Sequence, residues 1–264
     1  MSTPLQTRQS PDHQSFKVLG VRVDATQIPG VIEELENWID RRERCHYVAV
    51  TGMHGVMEAF HDPGFRAILN LADLIVPDGM PLIWLGRLNG YKLARRVYGP
   101  EFMLAFCEAT ESRGYRHFFY GGKPGVAEKL ASAWKARFPR LEVAGIYVPP
   151  FRPLTWEEDD AVVQQIERAA PDVLWVGLST PKQERWMNAH LHRLSVPVLV
   201  GVGAAFDIHT GELRQAPRWM REHGLEWLFR LCLEPRRLWR RYIVYGSQFL
   251  FWVALEQLGF RKLD

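Results

Sequence analysis

Between Phe16 and Asp207 the chain repeats one pattern: a short apolar run halted by glycine or proline, then a longer segment with apolar residues at helical spacing. Tyr47-Val48-Ala49-Val50-Thr51 stops at Gly52, and Val56, Ala59, Phe60, Phe65, Ile68 and Leu69 then recur as on one helical face. Leu74-Ile75-Val76 ends in Pro77-Asp78-Gly79, and His117-Phe118-Phe119-Tyr120 runs into Gly121-Gly122-Lys123-Pro124-Gly125. Val173-Leu174-Trp175-Val176 precedes Ser179-Thr180-Pro181-Lys182-Gln183-Glu184, and residues 196–202 lead to Gly203. Strands that alternate with helices pair through crossovers, so the pattern predicts an α/β fold, a mostly parallel Rossmann-like sheet flanked by helices. Residues 16–23 read as a single strand entering it. Open sheets of this kind bind ligands at the carboxyl ends of their strands. Thr51, Asp78, Gly121-Gly122, residues 180–183 and Asp207 should therefore share one rim.

The length of 264 residues and the 47% hydrophobic content suit one large domain or two small ones. A formal charge of +3 is too small to indicate nucleic acid. Cys45, Cys107 and Cys232 lack metal-ligand spacing and lie in apolar-periodic segments, which predicts buried free thiols in a reducing compartment. Residues 1–15 are polar, carry no signal-peptide pattern and are expected to be disordered. The expected division is an α/β domain over 16–212 and a basic, aromatic, helical appendage over 213–264.

Taken singly, the motifs at the rim have two readings each. Asp78 is a carboxylate at a strand's end or the cap of the helix that follows. Gly121-Gly122-Lys123-Pro124-Gly125 could bring backbone N–H groups to a phosphate, or form a tight turn; it matches neither G-x-G-x-x-G nor the P-loop. Gln183 could present its amide to a ligand from a helix's first turn, or be a solvated cap residue. There is no D-x-D, H-E-x-x-H or G-x-S-x-G, and His54 and His61 are too far apart for a two-histidine metal helix.

In the appendage, Arg214, Arg218, Arg221, Arg230, Arg236, Arg237, Arg240 and Arg241 alternate with Trp219, Trp227, Phe229, Trp239 and Tyr242. Residues 243–260 are apolar but interrupted by Gly246, Ser247, Gln248, Glu256 and Gln257, which argues against a membrane span. The composition suits a helix lying at a lipid headgroup layer, where each basic residue adds about 1 kcal/mol. Docking on the chain's own domain is the alternative. Polybasic arms that bind nucleic acid lack this apolar content, so no nucleic-acid partner is expected.

Together these segments resemble the WecG/TagA/CpsF family of bacterial glycosyltransferases. The resemblance rests on Thr51, DPGFRAILNLADLIVPDG at 62–79, RRVYGPEFM at 95–103 and YGGKPGVAEKL at 120–130. It continues through PDVLWVGLSTPKQERWM at 171–187, GVGAAFDIHTG at 201–211 and GLEWLFRLCLEPRRLWRRY at 224–242. The resemblance implies inverting, metal-independent transfer from a UDP-sugar to a polyprenyl-diphosphate-linked acceptor, with no cofactor. The enzyme would be cytoplasmic, peripheral on the inner face of the cytoplasmic membrane, and would serve exopolysaccharide or other cell-surface polysaccharide synthesis. Asp78 is then expected to be the general base. Thr51 and Gln183 would orient the sugar, with His54 beside them, and Arg96, Arg230, Arg237 and Arg240 would meet diphosphate charge. Gly121, Gly122, Lys123 and Asp207 would serve the nucleotide. Where the family often has asparagine two places after the threonine, Met53 stands here, followed by His54. That departure favours glucose or another plain hexose over N-acetylmannosamine. Gln215-Ala216-Pro217 stands for the family's Arg-Ala-Pro, with Arg214 one place earlier. The rival readings are a non-catalytic membrane scaffold and a dinucleotide-binding oxidoreductase.

Overall fold

A computed structural model describes residues 14–260. The expected disorder of 1–15 lies, for residues 1–13, outside the described residues, and Ser15 opens the first strand. The predicted single strand over 16–23 is instead a hairpin, β1 (Ser15–Val18) and β2 (Val21–Asp24). Leu19 and Gly20 both have positive φ, 50° and 79°, the backbone of a two-residue turn whose twist matches the paired strands. An alternating apolar run does not reveal such a turn when its first residue is leucine.

After α1 (Ile28–Arg41) come β3 (His46–Thr51), α2 (Met53–His61), α3 (Pro63–Asn70) and β4 (Leu74–Pro77). Then follow α4 (Met80–Leu88), α5 (Gly99–Thr110), β5 (Arg116–Gly121), α6 (Val126–Arg137) and β6 (Glu142–Tyr147). The α/β run closes with α7 (Trp156–Ala169), β7 (Val173–Gly177), α8 (Lys182–His190), β8 (Val198–Gly201) and α9 (Ala205–His209). Strands β3 to β8 form one six-stranded sheet in the order β4-β3-β8-β7-β5-β6, and every pairing is parallel. The α/β reading of the sequence holds.

Successive strand residues feed opposite cores. Tyr47, Ala49, Ile75, Tyr120, Val176 and Leu199 pack with side chains of α2, α3, α7 and α8. Val48, Val50, Val76, Phe119, Trp175 and Val200 pack with α1, α5, α6 and α9. Thus β3 is followed by a helix on one face and its neighbour β8 by a helix on the other. A crevice opens between their ends, the place where doubly wound sheets bind ligands. The edge strand β4 is shielded: Asp24 accepts the Ile75 N–H at 2.7 Å, and Arg22 donates to the Ala72 carbonyl at 2.6 Å.

Beyond α9 lie α10 (Arg218–Glu222), α11 (Glu226–Leu233), α12 (Pro235–Trp239), a π-helical turn (Arg240–Val244) and α13 (Tyr245–Gln257). One side of α13 docks on the body. Phe249 and Val253 are buried, Trp252 meets Phe60 of α2 at 5.3 Å, and Glu256 accepts the Leu19 N–H at 3.1 Å. Leu250 and Phe251 on its other side, and Leu258 just past its end, are exposed. Among the described residues no helix is long and apolar enough to cross a membrane. Cys45 and Cys107 are buried as expected, but Cys232 is exposed, because α11 turns its apolar residues partly outward.

Candidate active site

The carboxyl ends of the strands open into a cleft of about 1240 Å³, roofed by residues of α11, α12, the π-helical turn and α13. Two backbone approaches shape its floor. The Asp78 N–H donates to the Thr51 carbonyl at 2.8 Å, locking the loops after β3 and β4 together. A Cβ on Gly52 would come within 2.3 Å of the Asp78 carbonyl oxygen, so only glycine fits there.

Asp78 lines this cleft with 30% of its side chain exposed. Its Oδ1 is buried without a hydrogen-bond partner. Burial pushes the carboxyl up to about 6, with Glu226 reinforcing the rise and Arg96, Arg230 and Arg241 opposing it. Helix capping does not explain this residue, since the cap position of α4 is Gly79 and no side chain caps it. Arg96 approaches Asp78 Oδ1 at 3.7 Å but binds Glu226 directly, and its guanidinium lies 4.1 Å above the Tyr98 ring.

The appendage arginines Arg230, Arg237, Arg240 and Arg241 all line the cleft. Arg237 is engaged by Glu234, whereas Arg241 has a buried Nε with no hydrogen-bond partner. Burial first, then repulsion from Arg230 and Arg237, lowers the Arg241 guanidinium below its ordinary range despite opposing pull from Tyr242 and Asp78. An arginine stays charged under such conditions, so this corner of the cleft attracts anions. His54, at the start of α2, is pushed down to about 3 by burial and by Arg241, so it is neutral above that pH. Its ring stacks on Tyr245 of α13 at 6.0 Å.

Other candidates sit differently from expectation. Gln183 reaches the cleft but is buried, and its amide is occupied: Oε1 accepts the Gly203 N–H at 3.0 Å and Nε2 donates to Glu184 at 3.0 Å. It braces the loop after β8. Thr51, expected to orient the sugar, is buried and is not part of the lining, and its Oγ1 has no hydrogen-bond partner. Gly121 and Gly122 are not part of the lining, although Lys123 is. A Cβ on Gly121 would meet the Gly177 carbonyl oxygen at 2.7 Å, and the Gly122 N–H donates to that same oxygen at 3.1 Å. Their glycine character serves contact between neighbouring strand ends. Asp207, on α9, lines the cleft with Oδ1 buried and unpartnered.

Four participants escaped the sequence reading of the site: Tyr98, Glu184, Glu226 and Arg241. Glu184 is fully buried beside Gln183, accepts the Thr180 hydroxyl at 2.8 Å, and has its carboxyl raised mainly by burial. Glu226 offered a signal, being an acid within an arginine-rich aromatic stretch. Among the described residues no group of three or more His, Cys, Asp or Glu is placed to hold a metal ion.

A parallel α/β sheet with a cleft at its switch point, lined by arginines of the segment that roofs it, defines the class of doubly wound α/β proteins that bind ligands at their strand ends. More particularly, the chain belongs to the WecG/TagA/CpsF family of glycosyl transferases, whose sequence model matches residues 16–263. A protein of Bacillus subtilis (strain 168) is 29% identical over 225 residues, covering 81% of this chain and 84% of its own length. A second, from Bacillus spizizenii (strain ATCC 23059 / NRRL B-14472 / W23), is 29% identical over 220 residues, 82% of each chain. A third, from Staphylococcus aureus (strain MRSA252), is 26% identical over 224 residues, 84% of this chain and 86% of its own. Each of the three is an N-acetylglucosaminyldiphosphoundecaprenol N-acetyl-beta-D-mannosaminyltransferase.

Proposed function

We propose that the protein transfers a sugar from a UDP-linked donor to a sugar carried on a polyprenyl diphosphate, with inversion, during synthesis of a cell-surface polysaccharide. The observation that carries this reading is Asp78: a carboxylate near pKa 6, its Oδ1 buried and unpaired, beside a cluster of cleft arginines. Asp78 takes the proton of the acceptor hydroxyl as that oxygen attacks the anomeric carbon. The bond from that carbon to the diphosphate breaks, and UDP leaves. General-base help of this kind is worth typically 10²–10⁴-fold. Arg230, Arg240 and Arg241, with Arg96 behind them, stabilise the charge that develops on the departing diphosphate. Asp207 accepts a hydroxyl of the nucleotide, and Lys123 meets phosphate from the cleft's margin. Neutral His54 faces the sugar, Thr51 supports the cleft floor from beneath, and Gln183 holds the loop on which the sugar rests.

For the sugar itself, the relatives point away from the plain hexose favoured by Met53, since each of the three is named for N-acetylmannosaminyl transfer. N-acetylmannosamine is therefore the first donor to test and glucose the second, with a diphosphate-linked N-acetylglucosamine acceptor. We place the reaction at the inner face of the cytoplasmic membrane. The exposed Trp227, Trp239, Ile243, Leu250, Phe251 and Leu258 of the appendage support contact with lipid. The deciding experiment is a panel of UDP-sugars against a short-chain diphosphate-lipid acceptor, with product mass as the readout. One donor should give a product heavier by one sugar, with release of UDP. No product from any pair, with folded protein, overturns the reading.

A further inference from the structure

Arg96 stands between two carboxylates and serves only one of them. Its Nη2 binds Glu226 Oε2, while its Nη1 stays 3.7 Å from Asp78 Oδ1, beyond hydrogen-bond reach. The second Glu226 oxygen accepts the Tyr98 hydroxyl at 3.0 Å, and the Tyr98 ring supports the Arg96 guanidinium from below at 4.1 Å. Glu226 thus spends both oxygens on holding this pair, and it is itself buried, 8% exposed. It lies in the first turn of α11, in the segment that returns over the strand ends. That segment is seated closely: a Cβ on Gly224 would touch the Met80 side chain of α4 at 3.1 Å.

We propose that Glu226 is a positioning residue for the transfer: with the appendage docked it holds Arg96 away from Asp78, leaving the aspartate oxygen open to the acceptor hydroxyl. Without Glu226 in place, Arg96 closes on Asp78 as a paired salt bridge and the base is lost. The clasp therefore ties activity to the seating of α11. It rests on the reading of Asp78 as the group that accepts the proton. The charged groups that act on Asp78 come from three elements: Arg96 from the segment before α5, Glu226 and Arg230 from α11, and Arg241 from the π-helical turn. With Glu226 neutralised, the remaining charges are all positive, and they favour ionised Asp78.

The test is a carboxyl titration by ¹³C NMR on the full chain with labelled aspartate, the Asp78 signal being assigned by its loss in Asp78→Asn. The wild-type midpoint should lie at about 6. In Glu226→Gln it should fall by about one unit or more, as for a carboxylate newly paired with arginine. Turnover should fall roughly tenfold, with a smaller change in KM for the donor, because the lost help acts on proton transfer. Adding Arg96→Gln to Glu226→Gln should move the midpoint back up, a rescue that a purely structural role does not produce. A folded Glu226→Gln protein with an unchanged or raised midpoint overturns the proposal. If that variant does not fold, Tyr98→Phe is read instead: a lowered midpoint supports the clasp, and an unmoved one overturns it. Full activity in Asp78→Asn removes the base on which the clasp acts and overturns it as well. If the midpoints move as expected but no donor is used, the clasp stands and the proposed substrates fall.

Discussion

Asp78 is held in a state that a solvated aspartate would not choose, and the sign of that effect can be read in stability. Its folded value of about 6 lies above the ordinary carboxylate value of 3.8. Between those values the folded chain binds more protons than the unfolded one, so this group's contribution to stability is present below pH 4 and is lost as pH rises through about 6. Asp78→Asn should therefore raise the melting temperature at pH 7 by several degrees and leave it nearly unchanged at pH 4, as calorimetry at the two pH values will show. The same variant should lose transfer by about a hundredfold or more while still binding UDP. Thr51→Val should keep or slightly raise thermal stability and leave transfer nearly unchanged, because the hydroxyl it removes is buried, unpartnered and outside the lining. Gln183→Ala should lower both, by roughly 1–3 kcal/mol in stability, since it removes the acceptor of the half-buried Gly203 N–H and one of the two donors to buried Glu184. Paired activity and melting measurements separate these two outcomes. Of these residues, Asp78 and Thr51 were legible as strand-end positions from punctuation alone. The inward turn of the Gln183 amide was not, because periodicity gives an element's face and not the direction of a side chain's end.

At the scale of elements, α13 is split between two environments. Phe249 and Val253 sit in the core beside α2, whereas Leu250, Phe251 and, just past its end, Leu258 face outward. Replacing those three exposed residues with serine should leave the melting temperature within about 1 kcal/mol equivalent of the original. It should also abolish most binding to vesicles that contain anionic lipid, in a flotation assay. Replacing Arg230 and Arg240 with alanine should do the reverse, depressing turnover more than attachment, because both line the cleft. Attachment should weaken only partly in high salt, since charge is screened within about 10 Å at 0.1 M and apolar burial is not. The appendage's aromatic and basic character was evident from composition. Which of its apolar residues turn inward depends on the surface of α2 and on the Leu19-Gly20 turn, both far earlier in the chain; Leu19 and Glu256 are 237 apart.

For the molecule as a whole, deletion of everything from Leu225 onward should lower thermal stability as well as activity, because it removes Phe249 and Val253 from a shared core. A truncated chain that melts like the intact one would show the appendage to be energetically separate. What the sequence determined by itself is the α/β layering and the strand ends that gather at one rim, while the family came from the resemblance of whole segments. The layering and the rim follow from local signals, namely apolar period, and glycine or proline at each strand's end, repeated often enough along one chain to fix the class but not the strand order. Tertiary structure alone decided which charges meet. Arg96 and Glu226 are 130 positions apart, and their pairing requires α11 to fold back over the sheet. The same return encloses Asp78, strips water from it and sets it among arginines. Burial and charge proximity are properties of the assembled surface, so the ionisation of the central aspartate could only be read once the chain had closed over it.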